Sequence, residues 1–414
     1  GFNIVQGARK DVRQGQLGAQ WTGAVGGLQA RAAAWGITRD LDNPIVPRVI
    51  DLDRRAWGAR ALVARSYTTR TGVVTWLAGL EWEVQRDDRR NFENDMGRPG
   101  ALTLDQLERV RALGAFAQVR APFNDRVWLQ GGVRYDRTTF RVDDRLGAGQ
   151  GALSRALDAL SPTAGLHVAP GGGFEFRAAV ATSFETPTTT ELVNRPDGGG
   201  GFNPDLDPTR GVSLEVGAAW AGAAGRARAE VSAWTTDLED ELVPFEDAAQ
   251  PGRTFFRNAG ASTYRGVEAT ASADPAGWLH MQAAYTFVDA VFDRYELDGT
   301  DLAGNRVPGV SRHRLDVRAR GTARGAWIEF RTLAVGAVPV DDGNREAAPG
   351  YVLLDLRAGT APLRVGAATL EPFVALDNLT DRAYAAAVTV NAFGGRYYEP
   401  GPGRSFFAGL RIRF

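Results

Sequence analysis

The side chains that most often carry out catalysis are scarce in this sequence. Its 414 residues include three histidines, His167, His280 and His313, and no cysteine. An enzyme needs a base or acid beside a nucleophile or substrate proton, and none of these histidines lies in a recognisable catalytic motif. We therefore predict that the chain is not an enzyme and carries no cofactor.

Candidate metal ligands are equally sparse. The acidic run over 237–241 offers oxygen ligands of the kind Ca²⁺ prefers, although a solvated loop is the expected alternative. Copper is disfavoured, because soft sulfur or imidazole ligands bind it best, Met96 and Met281 are the only methionines, and the histidines are scattered. We predict no resident metal.

The composition excludes further classes. Lys and Arg number 48 against 49 Asp and Glu, which gives a net charge of −1, so nucleic acid is not an expected partner. No apolar run reaches the roughly 18 residues that a membrane-spanning helix requires. A transmembrane β-barrel stays possible, because its strands need only about 9 to 11 residues of alternating polarity.

Alternation with a period of two is the strongest pattern in the chain. In the last segment Phe406, Leu410 and Ile412 share one face, whereas Ser405 and Arg411 share the other. Helical spacing does not produce this split. About 17 segments show it: 12–22, 27–37, 54–66, 72–86, 110–121, 126–141, 161–168, 174–183, 211–220, 226–236, 262–273, 278–290, 312–321, 325–337, 350–360, 369–378 and 404–414.

The connections between these segments alternate in length. The short ones are 23–26, 67–71, 122–125, 169–173, 221–225, 274–277, 322–324 and 361–368. The long ones are 38–53, 87–109, 142–160, 184–210, 237–261, 291–311, 338–349 and 379–403. Short periplasmic turns and long extracellular loops are typical of outer-membrane barrels, whereas a soluble sandwich has no reason for this asymmetry. We predict an all-β fold, a transmembrane antiparallel up-and-down β-barrel.

Local motifs in a fixed order add a family resemblance. Phe-x-x-Pro at 184–187, Asn-Pro-x-Leu-x-Pro at 203–208 and Asn-Leu-x-Asp-x-x-Tyr at 378–384 occur in the order seen in the barrel region of TonB-dependent outer-membrane receptors, which the chain resembles. The motif positions, which we interpret as structural, are Phe184, Pro187, Glu191, Asn203, Pro204, Leu206, Pro208, Gly266, Glu268, Pro308, Asn378, Leu379, Asp381, Tyr384, Gly403, Arg404 and Phe414.

The resemblance implies a 22-stranded barrel filled by an N-terminal plug. Residues 1–414 are then one barrel domain that lacks the plug and about five leading strands. It also implies a monomeric protein of the Gram-negative outer membrane, in contact with outer-membrane lipid and energised by the TonB complex through the missing N-terminal region.

The resemblance further implies active uptake of a scarce small-molecule ligand, a ferric siderophore above all. A passive porin is the alternative, and cobalamin or a carbohydrate is a less favoured cargo. Haem is disfavoured, because 184–208 lacks the histidine that similar haem receptors carry there. Loop residues able to stack on or pair with a metal chelate are the candidate ligand contacts: Arg195, Asp197, Phe202, Arg306, Arg396, Tyr397 and Tyr398.

Overall fold

A computed structural model describes residues 2–46, 48–146, 152–196, 202–247 and 254–413. Two of the residues singled out above, Asp197 and Phe414, lie outside the described residues.

Within the described part, eighteen strands form one sheet and six short strands form three two-stranded sheets. The strands of the large sheet are β1 (Asp11–Val25), β2 (Leu28–Ile45), β3 (Arg48–Thr69), β4 (Gly72–Asp95), β5 (Arg98–Pro122), β6 (Val127–Asp144), β7 (Leu153–Gly171), β8 (Phe174–Glu185), β9 (Thr209–Gly222), β10 (Ala227–Glu246), β11 (Thr254–Ala276), β12 (Leu279–Arg294), β15 (His313–Ala323), β16 (Ala326–Val335), β19 (Tyr351–Thr360), β20 (Leu363–Val365), β21 (Ala368–Asp377) and β24 (Ser405–Arg413). The small sheets pair β13 (Glu296–Leu297) with β14 (Thr300–Asp301), β17 (Val338–Pro339) with β18 (Ala347–Ala348), and β22 (Ala385–Val388) with β23 (Tyr398–Pro400).

Among the residues that the structure describes, helical structure is limited to short pieces. These are α1 (Phe2–Val5), α2 (Thr189–Val193) and 3₁₀ turns at Ala223–Gly225 and Phe393–Gly395. In the part of the chain that the structure describes, no helix is both long and apolar enough to pass through a membrane.

The strand prediction is confirmed. Each of the 17 segments lies on a strand of the large sheet, and successive long strands pair antiparallel, as in β2–β3, β3–β4 and β15–β16. The eighteenth strand, β20, has three residues and pairs with β21. It lies in the predicted turn at 361–368, where Pro362 and Gly366 made a strand hard to recognise.

The turn between β1 and β2 shows why its residues suit a tight hairpin. Val25 pairs with Leu28 around Gly26 and Gly27, whose φ angles are 57° and 80°. Two central residues with positive φ produce the twist that joins antiparallel strands directly, and glycine adopts that conformation at little cost. The sequence thus closes the β1–β2 hairpin with two residues.

The prediction of loops at 38–53 and 87–109 is wrong over most of each range. β4 and β5 stay paired through Asp95 and Arg98, and β2 and β3 stay paired in the same way over most of 38–53. β6, β7, β10 and β11 also extend into the predicted connections beside them. These connections are therefore largely strand.

Ion pairs between neighbouring strands explain why the alternation disappears there. Arg54 on β3 pairs with Asp87 on β4 at 2.6 Å on one face, and Arg90 on β4 pairs with Asp51 on β3 at 2.8 Å on the other. Both faces of the extended hairpins are polar, so the backbone ladder continues without a period-two hydrophobic signal.

In the alternating segments of the strands, one face is apolar and exposed. Leu80 and Trp82 on β4 are 60% and 44% exposed, and Phe406 on β24 is 66% exposed. Burying such surface in hydrocarbon is favourable by about 25 cal/mol per Å², whereas leaving it in water forfeits that gain. This face is suited to lipid.

The chain divides into two compact units. The first comprises residues 1–165, 181–210 and 242–258, and the second comprises residues 166–180, 211–241 and 259–414. In the first unit Phe140, Leu192 and Leu206 form a buried cluster. In the second, buried side chains include Phe292, Tyr295 and Val340.

Candidate ligand-binding sites

The three histidines are separated and have simple polar partners. His280 Nδ1 lies 2.7 Å from the Asp274 carboxylate, and His313 Nδ1 lies 2.9 Å from the Tyr285 hydroxyl. His167 lies 3.3 Å from a glutamate oxygen. None of these partners is a nucleophile positioned for acyl or glycosyl transfer.

The acidic run at 237–241 lies on β10 rather than in a loop. Asp237 accepts a hydrogen bond from Thr263 Oγ1 at 3.0 Å, and Glu241 accepts from the hydroxyls of Ser262 and Tyr264. Among the described residues, no group of three acidic, histidine or cysteine side chains has the arrangement of a metal site. These carboxylates are thus held by hydroxyl donors.

The structure separates the candidate ligand contacts. Arg195 and Phe202 belong to the first unit, whereas Arg306, Arg396, Tyr397 and Tyr398 belong to the second. In the second unit they lie on two segments, 291–311 and 379–403. We call these two segments, together with 338–349, the loop cluster.

Hydrogen bonds to main-chain atoms join the segments of the loop cluster. Asn344 Oδ1 accepts from Arg306 N at 2.7 Å, and Asn344 Nδ2 donates to Arg306 O at 2.8 Å. Asn391 makes one main-chain and one side-chain bond to Asp342: its Oδ1 accepts from Asp342 N at 3.0 Å, and its Nδ2 donates to the carboxylate oxygen Asp342 Oδ1 at 3.0 Å. Each amide side chain therefore bonds its own segment to a neighbouring segment of the loop cluster.

A small buried core lies beneath these bonds. Phe292 and Val340 are fully buried, and the rings of Phe292 and Tyr295 are 4.8 Å apart. The Tyr295 hydroxyl donates to Asp342 Oδ2 at 3.0 Å, so the buried carboxylate is solvated by protein donors. Buried polar groups with such partners order a loop rather than destabilise it.

Arg306 has unused hydrogen-bonding capacity in this layer. Its guanidinium donates to Val310 O at 3.1 Å, and its Nε is buried without an acceptor. Burial and the neighbouring Arg312 lower the pKa of Arg306 below its usual range. Arg312 itself pairs with Asp289 at 2.6 Å, so among the described residues Arg306 is left without a carboxylate partner.

The two tyrosines stand beside each other in the loop cluster. The rings of Tyr397 and Tyr398 meet edge to face at 6.0 Å, and the Tyr398 hydroxyl donates to Ala347 O at 3.4 Å. Burial, together with nearby Asp341 and Glu346, raises the pKa of Tyr397. Its phenol therefore stays protonated at neutral pH and remains able to donate.

In the first unit, α2 is held by a capping box. Glu191 N donates to Thr188 Oγ1 at 3.3 Å, and Thr188 N donates to Glu191 Oε2 at 2.6 Å. Leu192 on α2 is fully buried against Phe140, and Phe202 packs partly buried on the same cluster. Phe202 is thus a packing residue in this structure.

Hydrogen bonds and an ion pair also hold the far end of the loop that carries α2. Asp207 N donates to Asn258 Oδ1 at 2.8 Å, and Asn258 Nδ2 donates to Asp207 O at 2.9 Å. Arg155 donates to Asn203 O at 3.2 Å and pairs with Asp207 at 3.0 Å. The Asn-Pro-x-Leu-x-Pro stretch therefore connects β7, α2 and β11.

A cluster of buried polar residues on β4 and β5 was not predicted from the sequence. On β4 and β5, Asp87, Asn91, Gln106 and Glu108 are each at most 5% exposed. Burial raises the pKa of Glu108, which accepts from Gln106 Nε2 at 2.6 Å. All lie in the predicted loop 87–109, and only the strand register places them on one face.

The chain matches a known protein family over most of its length. The sequence pattern of the family described as "TonB dependent receptor-like, beta-barrel" matches residues 6–379. The chain belongs to this family. Its members lie in the outer membrane, which places this chain there too.

Individual TonB-dependent receptors resemble the chain over much of its length. It is 25% identical to the ferrioxamine B receptor of Salmonella typhimurium over 355 residues, which are 84% of this chain and 47% of that protein. The chain spans about half the length of the curated relatives it matches.

Solved structures share the fold at lower identity. The ferric yersiniabactin uptake receptor of Yersinia pestis superposes with a TM-score of 0.74 at 19% identity, over 97% of this chain and 61% of that one. A siderophore receptor from Acinetobacter baumannii gives 0.75 at 14% identity, over 98% and 64% of the two chains.

The late TonB-dependent receptor motif forms a clamp in this structure. Asn378, with a φ of 52°, donates from Nδ2 to Arg382 O at 3.0 Å and to Pro402 O at 3.1 Å. Asp381 Oδ1 accepts from Arg404 N at 2.8 Å. The motif thereby ties both ends of 379–403 to the sheet.

Gly266, Tyr384 and the residue after Pro308 make close contacts of their own. A side chain at Gly266 would meet the ring of Trp234, and one at Gly401 would meet the ring of Tyr384. Beyond Pro308, Gly309 N donates to Pro339 O at 2.8 Å.

Proposed function

We propose that this chain is the barrel of an outer-membrane receptor that takes up a ferric siderophore with energy from the TonB complex. The receptor binds its cargo at the extracellular side, acts as a monomer and catalyses no reaction. Arg195, Asp197, Phe202, Arg306, Arg396, Tyr397 and Tyr398 remain the proposed contacts, with Arg306 foremost and Phe202 the weakest because of its packing role.

One observation carries the proposal beyond family membership. In the loop cluster, Arg306 has a buried Nε without an acceptor among the described residues, and Tyr397 has a raised pKa that keeps its phenol protonated. A chelate whose oxygen atoms carry negative charge would accept from these donors. Charge-assisted hydrogen bonds are about twice as strong as neutral ones, so a preformed layer of this kind suits tight capture.

A passive porin is the second candidate, because it shares the polar interior and the loop asymmetry. A free diffusion channel has no need of loops locked together by reciprocal amide bonds. The reciprocal Asn344–Arg306 and Asn391–Asp342 contacts therefore favour the receptor.

Equilibrium binding separates the two. The full-length protein in detergent is incubated with radiolabelled ferric chelates over a concentration series, with cobalamin and a maltodextrin as competitors. Saturable binding that neither competitor displaces supports the siderophore receptor. Displacement by cobalamin or the sugar reassigns the cargo, and linear, non-saturable uptake in liposomes indicates a porin.

The TonB requirement is tested in cells. Uptake of the labelled chelate is measured in isogenic strains with and without a functional TonB complex, with surface binding at 0 °C as the control. Uptake that needs TonB, with unchanged surface binding, is expected. Equal uptake in both strains would contradict the proposal.

A further inference from the structure

Four arginines lie on one face of β2–β5 in the first unit. Strand register places Arg39 opposite Arg54 and Arg54 opposite Asp87, while Arg89 lies two residues beyond Asp87. Arg48 lies on the same face near the start of β3. We call this side, which also carries Glu108, the polar face.

Among the described residues, one of the four arginines is hydrogen-bonded to a carboxylate. Arg54 binds Asp87 through two hydrogen bonds of 2.9 and 2.6 Å. Arg89 approaches Glu108 only to 3.7 Å, beyond hydrogen-bonding distance, and donates instead to Thr190 Oγ1 at 3.3 Å.

Arg39 and Arg48 have no ion pair or side-chain hydrogen bond with any described residue. The Nε of Arg39 is nevertheless buried. Burial and the positive charge of Arg89 lower the pKa of Arg48. Glu93, opposite Arg48 in the register, is exposed to solvent and does not bind it.

Two buried polar atoms on β4 lack partners within the described residues. Arg89 Nε and Asn91 Oδ1 are both inaccessible to solvent and unbonded, and Asn91 as a whole is 3% exposed. A buried polar group without a partner costs about 1–3 kcal/mol. A bound group that accepts a hydrogen bond from Arg89 Nε would remove that cost for the arginine.

Two other acidic residues nearby have arginine partners on the opposite face. Asp51 pairs with Arg90 at 2.8 Å, and Asp88 with Arg145 at 3.3 Å, both on the opposite face. On the polar face, Asp87 and Glu108 are the buried carboxylates against four arginines. The surplus is positive.

We propose that Arg48 and Arg89 bind a free carboxylate of an anionic ferric chelate, so that the cargo is a polycarboxylate-type complex rather than an uncharged or cationic hydroxamate. This rests on the proposed function and narrows its substrate class. The two guanidinium groups supply positive charge, and Arg39 on β2 adds to the positive electrostatic potential. An acidic side chain of another protein segment is the competing occupant.

The test compares two iron complexes on the full-length protein in detergent. Ferric citrate is the anionic probe, and ferrioxamine B, which has no free carboxylate, is the comparison. The variants are Arg48→Gln and Arg89→Gln, with Arg48→Lys to retain charge. Arg86→Gln is the matched control, because Arg86 is exposed on the opposite face of β4.

We expect the Kd of ferric citrate to rise at least about tenfold in each Gln variant, the usual effect of losing a charge-assisted bond. Arg48→Lys should keep most of the affinity, and Arg86→Gln should match the unmodified protein. Added salt should weaken citrate binding. Arg48 makes no described bond, so its replacement leaves the fold intact and keeps the test valid.

The outcomes separate this inference from the proposed function. Tight ferrioxamine B binding with no ferric citrate binding overturns the inference and leaves the receptor function standing. Citrate binding unchanged by both Gln variants also overturns it and assigns the arginines to an acidic protein segment. Absence of saturable binding by either chelate overturns both proposals.

Discussion

The Asn344 side chain binds both main-chain polar groups of Arg306: Oδ1 accepts from the Arg306 N–H at 2.7 Å, and Nδ2 donates to the Arg306 carbonyl at 2.8 Å. The two residues lie 38 positions apart in the chain. This contact sets the main-chain position of an arginine whose side chain keeps unused donors. It holds in place the main chain of a residue that we propose as a ligand contact.

Replacing Asn344 should loosen the loop cluster without unfolding the sheet. Asn344 has a φ of 53°, so Asn344→Gly keeps the backbone conformation and loses only the bonds, whereas Asn344→Ala loses both. We expect local opening to become easier by about 1–3 kcal/mol in the Gly variant, with a larger effect for Ala. Hydrogen exchange across 291–311 measures this; equal protection in all three proteins would contradict it.

Arg306→Gln should weaken cargo binding, because it removes the charge while main-chain contacts to Asn344 remain. About a tenfold rise in Kd is expected from the loss of one charge-assisted bond, and Arg306→Lys should recover part of it. Arg345→Gln, at an exposed arginine of the same cluster, is the control. Similar losses in Arg306→Gln and Arg345→Gln would show a general charge effect.

Tyr295→Phe should destabilise the loop cluster from within. The change removes the donor at 3.0 Å from buried Asp342 while keeping the ring against Phe292. We expect a loss of about 1–3 kcal/mol in local stability. Proteolysis within 338–349 should become faster, and an unchanged cleavage rate would count against this role.

Gly401→Ala should disturb the tyrosine pair at the base of 379–403. A Cβ at Gly401 would lie 2.2 Å from the Tyr384 ring, which packs 4.6 Å from Tyr351. Overpacking of this kind costs about 1–3 kcal/mol. Gly277→Ala, where the new methyl group meets nothing within 4 Å, is the control, and thermal unfolding with near-UV circular dichroism compares the two.

Glu108 should make the β4–β5 hairpin more stable at acidic pH. Burial raises its pKa in the folded state, whereas in the unfolded chain it titrates near the usual value of about 4.3. The folded state therefore holds the proton more tightly. Its contribution is fully present below about pH 4.3 and is lost as pH rises through the raised folded value.

Glu108→Gln should remove this part of the pH dependence. Protection factors for β4 and β5, corrected for intrinsic exchange, provide the measurement on either side of that window. An unchanged pH profile in the variant would assign the dependence to other groups.

The sequence determined the strand number and direction of most of this chain. A lipid-facing side and a wet side impose a period of two on every segment between them, so Leu80 and Trp82 reveal β4 without any tertiary information. The short turns could also be predicted from the sequence, because a tight hairpin requires residues such as Gly26 and Gly27.

Only the tertiary structure decided what lies above the membrane. There both faces of a hairpin are wet, so the alternation ends at about Gln85 although β4 continues to Asp95. The burial of Asp87 and Glu108 follows from strand register and from the packing of distant segments. The contacts of Arg306 with Asn344, and of Asp342 with Asn391, join residues 38 and 49 positions apart, and no local pattern encodes pairings at that separation.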